Sequence, residues 1–301
     1  MKKLHILIPS LVATTSMPLV SLVGCGKDPV LPEDGCFTVT ALKESSFLIQ
    51  SQGSYPETPW FKPNIDYSFD NGKSWTTYDY SKTEPIIIGK NAKVMFKGNN
   101  PNGFHPVDNI ANPNFAFTGL VELSGNIMSL LDNGACKLKT IPCDNCFSGL
   151  FRTWTGYEVN QAIKSVEHLS LPATKLTSYC YSNMFDYQGN LITPMAILPS
   201  MALENNCYTF MFSSCRKLTT TPYLPATTLT TDCYRQMFED DGSLKIKQKP
   251  LSSSEQKGLI FKYEQRFNLS EVSNMFGGIS PLSEYKESTP EPGYSYYWYI
   301  D

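Results

Sequence analysis

The chain says one thing three times between Leu171 and Phe238, and a fixed period of this length restricts a fold to stacked copies of one supersecondary unit. Leu171-Pro172-Ala173-Thr174 precedes Cys180-Tyr181 and Met184-Phe185. Leu198-Pro199-Ser200-Met201 precedes Cys207-Tyr208 and Met211-Phe212. Leu224-Pro225-Ala226-Thr227 precedes Cys233-Tyr234 and Met237-Phe238. The landmark cysteine moves from 180 to 207 to 233, steps of 27 and 26 residues. Three landmarks advancing together do not arise by chance.

The letters of one unit suggest its local structure. Leu229, Cys233, Met237 and Phe238 fall at i, i+4, i+8 and i+9, the spacing of one helical face. The run Leu218–Leu224 reads as a short strand, with proline at its end because proline donates no ladder hydrogen bond. Each unit is therefore expected to hold one short strand and one short helix, neither able to bury its apolar face without a neighbour. An incomplete copy comes first, since Cys146–Phe151 matches Cys180–Phe185 position by position. Asn274-Met275-Phe276 echoes Asn183-Met184-Phe185 as a degenerate last copy. The register predicts a buried ladder of Cys146, Cys180, Cys207 and Cys233, with Met184, Met211 and Met237 as a parallel row. A recurring cysteine of this kind behaves as a small buried hydrophobe.

The run LPATKLTSYCYSNMF, continued by LPSMALENNCYTFMFSSCRKLTTTPYLPATTLTTDCYRQMF, resembles the BspA-like leucine-rich repeat surface proteins of bacteria. Gly125–Leu131 (GNIMSLL) is similar to the segment that leads into the repeats of that family. The resemblance covers about Asp66 to the C-terminus. Residues 239–274 depart from it, being longer than one period. What it implies is a cell-surface protein that acts in adhesion or host–microbe interaction, with host or extracellular-matrix proteins as partners.

Residues 1–24 are expected to be an export signal. Lys2 and Lys3 form a basic start, and Leu4–Val23 is largely apolar with no acid. Leu22-Val23-Gly24-Cys25 resembles a bacterial lipobox, in which Cys25 is lipidated and anchors the exported chain to the membrane. The other reading is an ordinary cleaved secretory peptide. Loss of residues 1–24 changes the balance of 25 cations and 28 acids to 23 and 28, a net charge of −5. Such a chain has no electrostatic footprint for nucleic acid. Residues 25–35 are polar with two prolines and read as a tether.

Residues 36–123 alternate like strands at Cys36–Leu42, Ser46–Ile49, Pro85–Ile88 and Ala92–Phe96. Asn71-Gly72 between alternating segments predicts a hairpin, because both residues tolerate positive φ. This part is expected to be a small antiparallel β-sandwich-like domain. Trp75 and Phe69 are assigned to its core, with Trp60, Phe61, Tyr78 and Tyr80 scattered on the surface. The alternative makes these aromatics a glycan-stacking platform. The aromatic run Tyr294–Ile300 in turn reads as a closing strand and cap, or as a second platform including Trp298.

Cys143-Asp144-Asn145-Cys146 is a CxxC motif, a spacing found in redox and zinc sites. Cys146 is also the repeat cysteine, and no second CxxC or nearby histidine completes a metal site. Cys36, Cys136, Cys143 and Cys215 lie off the predicted ladder and are the disulfide candidates of an exported protein, with pairing left open. An insertion between Phe151 and His168 carries Trp154, Tyr157 and Glu158, in a loop of the kind that often lies on a binding face. No Ser/His/Asp set, phosphate loop or metal cluster stands out among residues such as His105, His168 and the pair Asp240-Asp241. No cofactor, metal or catalysis is expected.

The fold class expected is α+β. A β-sandwich-like domain (36–123) is followed by a leucine-rich-repeat-like solenoid of short strand–helix units (124–280) and a C-terminal cap (281–301). The function expected is binding by a lipid-anchored protein at the bacterial cell surface, through the repeats or, alternatively, to surface glycans through the β domain or the aromatic C-terminus.

Overall fold

The computed structural model describes residues 35–51, 59–105, 111–153, 161–226, 228–244, 246–250, 274–276 and 296–300. Residues 1–34 lie outside these, and with them the expected signal, the lipidation site Cys25 and the tether. Trp154, Tyr157 and Glu158 also lie outside.

Alternating apolar residues build the first part. β1 (Phe37–Ala41) buries Phe37, Val39 and Ala41 and turns Thr38 and Thr40 the other way. β6 (Lys93–Gly98) does the same with Val94 and Phe96. β2 (Ser45–Ser51) buries Phe47 and Ile49, and β7 (Pro113–Thr118) buries Phe115 and Phe117. The remaining strands of this part are β3 (Ile65–Ser68), β4 (Thr76–Thr77), β5 (Ile86–Ile88), β8 (Val121–Asn126) and β9 (Ile163–Ser170). They pair in two sheets, one in the order β4-β3-β6-β1-β8-β9 and one in the order β5-β2-β7. All pairs are antiparallel except β8 with β9, which is parallel. Aromatic rings fill the space between the sheets. Phe96 lies 5.0 Å from Phe47 and 5.4 Å from Phe115, both edge to face, a favoured ring geometry.

The hairpin at Asn71-Gly72 is present, with φ of 59° and 81° at these residues. Its turn is wider than a two-residue loop, because pairing ends at Tyr67↔Thr76. Asp70 holds the extra residues by accepting from the Ser74 amide at 2.9 Å and the Ser74 hydroxyl at 2.6 Å. The assignment of Phe69 to the core is corrected, since it is 47 % exposed. Ser68 and Ile65 point inward from β3 instead. Trp75 is half-buried beneath Lys97 Nζ at 4.7 Å. Tyr78 takes the core position, and its hydroxyl accepts from the Ile49 amide at 2.9 Å.

The expected α+β class, with its helix-containing solenoid, is also corrected. No α-helix occurs among the described residues, whose one helical segment is the 3₁₀ turn Ile127–Leu130. The described residues are nearly all sheet and turn. Where helices were expected, the chain makes consecutive tight turns with a period of four. Tyr179, Asn183 and Tyr187 have φ of 58°, 56° and 62°, and Asn206, Phe210 and Ser214 have 56°, 55° and 59°. An α-helix cannot pass through such residues. The run Leu218–Leu224 forms no strand either, only bridges at Tyr223, which pairs with Ile197, and at Leu224.

The backbone hydrogen bonds explain why turns suffice. Alternate amides close turns within a coil, as Ser182 N donates to Tyr179 O at 3.1 Å and Met184 N to Tyr181 O at 3.3 Å. The amides between them reach the next coil, Tyr181 N to Cys207 O at 3.0 Å and Asn183 N to Thr209 O at 2.8 Å. The following coil repeats the pattern with Tyr208 N to Cys233 O at 3.1 Å and Phe212 N to Met237 O at 2.9 Å. Every one of these amides is satisfied without helix or sheet, as a buried backbone requires.

Two aromatic ladders run through the coils. Phe151, Phe185, Phe212, Phe238 and Phe276 stack face to face at 5.5, 5.4, 5.6 and 5.6 Å. Phe147, Tyr181, Tyr208 and Tyr234 stack at 5.8, 5.9 and 6.0 Å. Phe276 thus places Asn274–Phe276 on a coil beyond that of Phe238. At the other end the ladders enter the β core, where Phe151 packs on Phe37 at 5.5 Å and Phe104 on Phe147 at 5.4 Å. Strand β7 closes that end. Phe115 N donates to Leu150 O at 2.8 Å, and Asn114 Nδ2 donates to the carbonyls of Gly149, Leu150 and Arg152 at 3.0, 3.3 and 3.0 Å. Asn112 Nδ2 serves Asn145 O at 2.8 Å.

The expected boundary at 123/124 falls inside β8, and β9 joins the same sheet. Leu31–Asp301 is one compact unit. β10 (Ile246–Pro250) pairs antiparallel with β11 (Tyr296–Ile300), the aromatic stretch read as a closing strand.

Candidate interaction surface

The ladder residues face inward. Cys146, Cys180, Cys207 and Cys233, with Met184, Met211 and Met237, are all fully buried. Burial pushes the Cys180 thiol up to about 12 and holds that of Cys207 well above its ordinary range. Cys180, Cys207 and Cys233 serve packing rather than chemistry.

Cys215, read as lying off the ladder, is buried as deeply as the ladder cysteines. It is fully buried, eight residues after Cys207, in the column that also holds Gln188 and Asp241. Members of this column donate back to the preceding coil. Gln188 Nε2 reaches Phe151 O at 2.7 Å, and Cys215 Sγ reaches Phe185 O at 3.2 Å. Burial holds the Asp241 carboxyl well above the usual range, against the opposing pull of the Cys215 amide directed at it. Its neighbour Asp240 is exposed.

Asp186 is a second buried acid. Burial raises its carboxyl to about 7 against the pull of Arg152, whose Nε lies 2.9 Å away.

Residues in the left-handed turns alternate with the buried columns and are mostly half-buried. Asn and Asp tolerate this conformation better than other non-glycine residues, and Asn145, Asn183, Asn206, Asp232 and Asp240 occupy it. Tyr179, Tyr187 and Phe210 occupy it as well, with φ of 58°, 62° and 55°. A bulky side chain there costs on the order of 1 kcal/mol that Asn would largely avoid. Tyr179 is 43 % exposed, and Tyr187 and Phe210 are half-buried. Phe210 is the register equivalent of Asn183, which lies four residues from both tyrosines, so the three occupy two adjacent coils around one position. The sequence signal for the site was the aromatic residue in the slot that elsewhere holds Asn, Asp, Ser, Gln or Gly.

The β-domain aromatics are less available. Tyr80 donates its hydroxyl to Pro63 O at 2.7 Å and stacks edge-on with Trp60 at 5.4 Å. With Tyr78 buried, Trp60, Phe61 and Trp75 remain half-exposed. His105 Nδ1 lies 2.5 Å from Asn112 Oδ1, and His168 is exposed on β9. The structure does not bring the two histidines together with an acid. Among the described residues no group of three or more His, Cys, Asp or Glu is placed to hold a metal, and no helix is long and apolar enough to cross a membrane.

No family model, curated protein or solved structure matches this chain.

Proposed function

We propose that this chain is a binding protein carried at the bacterial cell surface by a lipid on Cys25, and that it engages host or matrix proteins through the stacked turns. The observation that carries the reading is the patch of Tyr179, Tyr187 and Phe210. Three aromatics sit in backbone conformations that disfavour them, on a scaffold whose own needs Asn meets. Strain that does not serve folding is a pointer to function, and partly exposed aromatics are the usual anchors of protein interfaces. The lipobox-like Leu22–Cys25 and the repeat words shared with bacterial surface proteins support the location.

The test uses the full chain displayed from its N-terminus on an array of matrix proteins and glycans. Tyr179→Asn, Tyr187→Asn and Phe210→Asn place the ladder's own residue at each position, so folding is preserved while the patch is removed. Protein binding is expected to fall at least tenfold, with the thermal transition little changed. Binding that survives all three substitutions would refute the site. Capture of glycans alone, lost on Trp60→Ala, would move recognition to the β domain. Retention of a Cys25→Ser chain in the membrane fraction would refute lipid anchoring.

A further inference from the structure

The CxxC motif acquires a geometry that its spacing did not disclose. Cys143 and Cys146 point their sulfurs at the same spot beneath Gly103. A Cβ built on Gly103 would lie 2.4 Å from Cys143 Sγ and 3.0 Å from Cys146 Sγ, so only glycine fits above the pair. The two thiols hydrogen-bond to each other, and the amides of Phe104 and His105 are directed at Cys143. The two sulfurs differ in access. Cys143 is partly exposed, whereas Cys146 is a fully buried rung of the ladder. In the later coils the position of Cys143 is held by Thr177, Glu204 and Thr230, so the ladder itself does not call for a second thiol.

We propose that Cys143 and Cys146 are an exchangeable dithiol, with Cys143 the sulfur that meets external disulfides and Cys146 the one that resolves. The oxidant is a disulfide of small-molecule or protein origin. The Cys143 thiolate attacks one of its sulfurs, forming a mixed disulfide and expelling one thiolate. Cys146 then gives up its proton to that thiolate and attacks Cys143 Sγ, which releases the second half of the oxidant. One intramolecular disulfide is formed, two electrons leave the protein, and the external disulfide becomes two thiols.

The asymmetry suits these roles. The hydrogen bond from Cys146, supported by the amides of His105 and Phe104, lowers Cys143 to about 7, while burial drives Cys146 well above its ordinary value. A thiol that ionises near ambient pH is the efficient attacker. Cys36 and Cys136 also hydrogen-bond to each other, but both are half-buried and lie 100 residues apart. They serve as the internal comparison.

The experiment treats the reduced, folded full chain with oxidised glutathione, quenches with acid and an alkylating agent, and maps the cysteines by mass spectrometry. The expected product is a Cys143–Cys146 disulfide with Cys180, Cys207, Cys215 and Cys233 still thiols. Cys146→Ala should instead collect one glutathione on Cys143, and in the unsubstituted chain the alkylation rate of Cys143 should rise with pH around a midpoint near 7. Cys143→Ala should leave Cys146 unmodified. Ala at 146 leaves only a small void, and Cys146→Ser gives a second trapping variant should it fail to fold. Cys143 remaining a thiol in folded protein, or a disulfide from Cys143 to any other cysteine, would overturn the proposal.

Discussion

Replacing Asp186 by Asn should flatten much of the pH dependence of stability. The carboxyl titrates near 4 in the unfolded chain and at about 7 when folded, because burial outweighs the Arg152 ion pair at 2.9 Å. A carboxyl whose folded value is raised holds its proton better in the native state. Its contribution is therefore present in acid and is lost as pH rises from about 4 to about 7. Each pH unit of the gap is worth about 1.4 kcal/mol, so between pH 4 and pH 7 the wild-type chain should lose about 3 kcal/mol from this group. Asn is neutral throughout and has no such loss. Asp241, raised for the same reason, is present in both chains and cancels to first order. The assay is urea unfolding at pH 4 and pH 7 for both chains, compared as the difference of differences. The variant should also be at least as stable as wild type at pH 7. A difference of differences below about 1 kcal/mol would mean that the carboxylate is paid back by its partners, and the assignment of a desolvated acid would be refuted.

Phe212→Leu removes a ring stacked between Phe185 at 5.4 Å and Phe238 at 5.6 Å, and should cost about 2–4 kcal/mol in chemical unfolding. Asn114→Ala deletes a buried amide that serves three carbonyls of the first coil. It should cost about 2 kcal/mol and speed amide exchange at Phe147–Thr153 more than in the later coils.

The repeat register, the strands β1, β2, β5 and β6 and the hairpin at Asn71-Gly72 were all legible in the sequence. They follow from period-two alternation and from residues that tolerate positive φ. The helices were a misreading of a number. A spacing of i, i+4 suits one helical face, but a column kept at i+8 drifts about 80° around a helix of 3.6 residues per turn. Leu203, Cys207, Met211 and Cys215 hold one column without drift, and so do Leu176, Cys180, Met184 and Gln188. That is a period of four. Asn145, Asn183, Asn206 and Asp232 carried the same message, because residues that favour left-handed backbone recur between the columns. Phe69 was misplaced because alternation through a hairpin fails once the turn holds extra residues. The closeness of Cys143 to Gly103 is a tertiary fact that no local pattern carries.

The alternation of amides within the stacked coils has a consequence for how such a molecule changes over generations. Each coil offers its successor the same amides that its own carbonyls receive from its predecessor, and both ring columns continue at about the same pitch. A segment of 26 or 27 residues can be duplicated or deleted between Leu171 and Phe238 without altering the β7 closure. Each duplication lengthens the stack by one ring spacing, between 5.4 and 6.0 Å. Gene-level copying of one unit is thereby translated into a graded change of reach, while the chemistry at the first coil stays where it was.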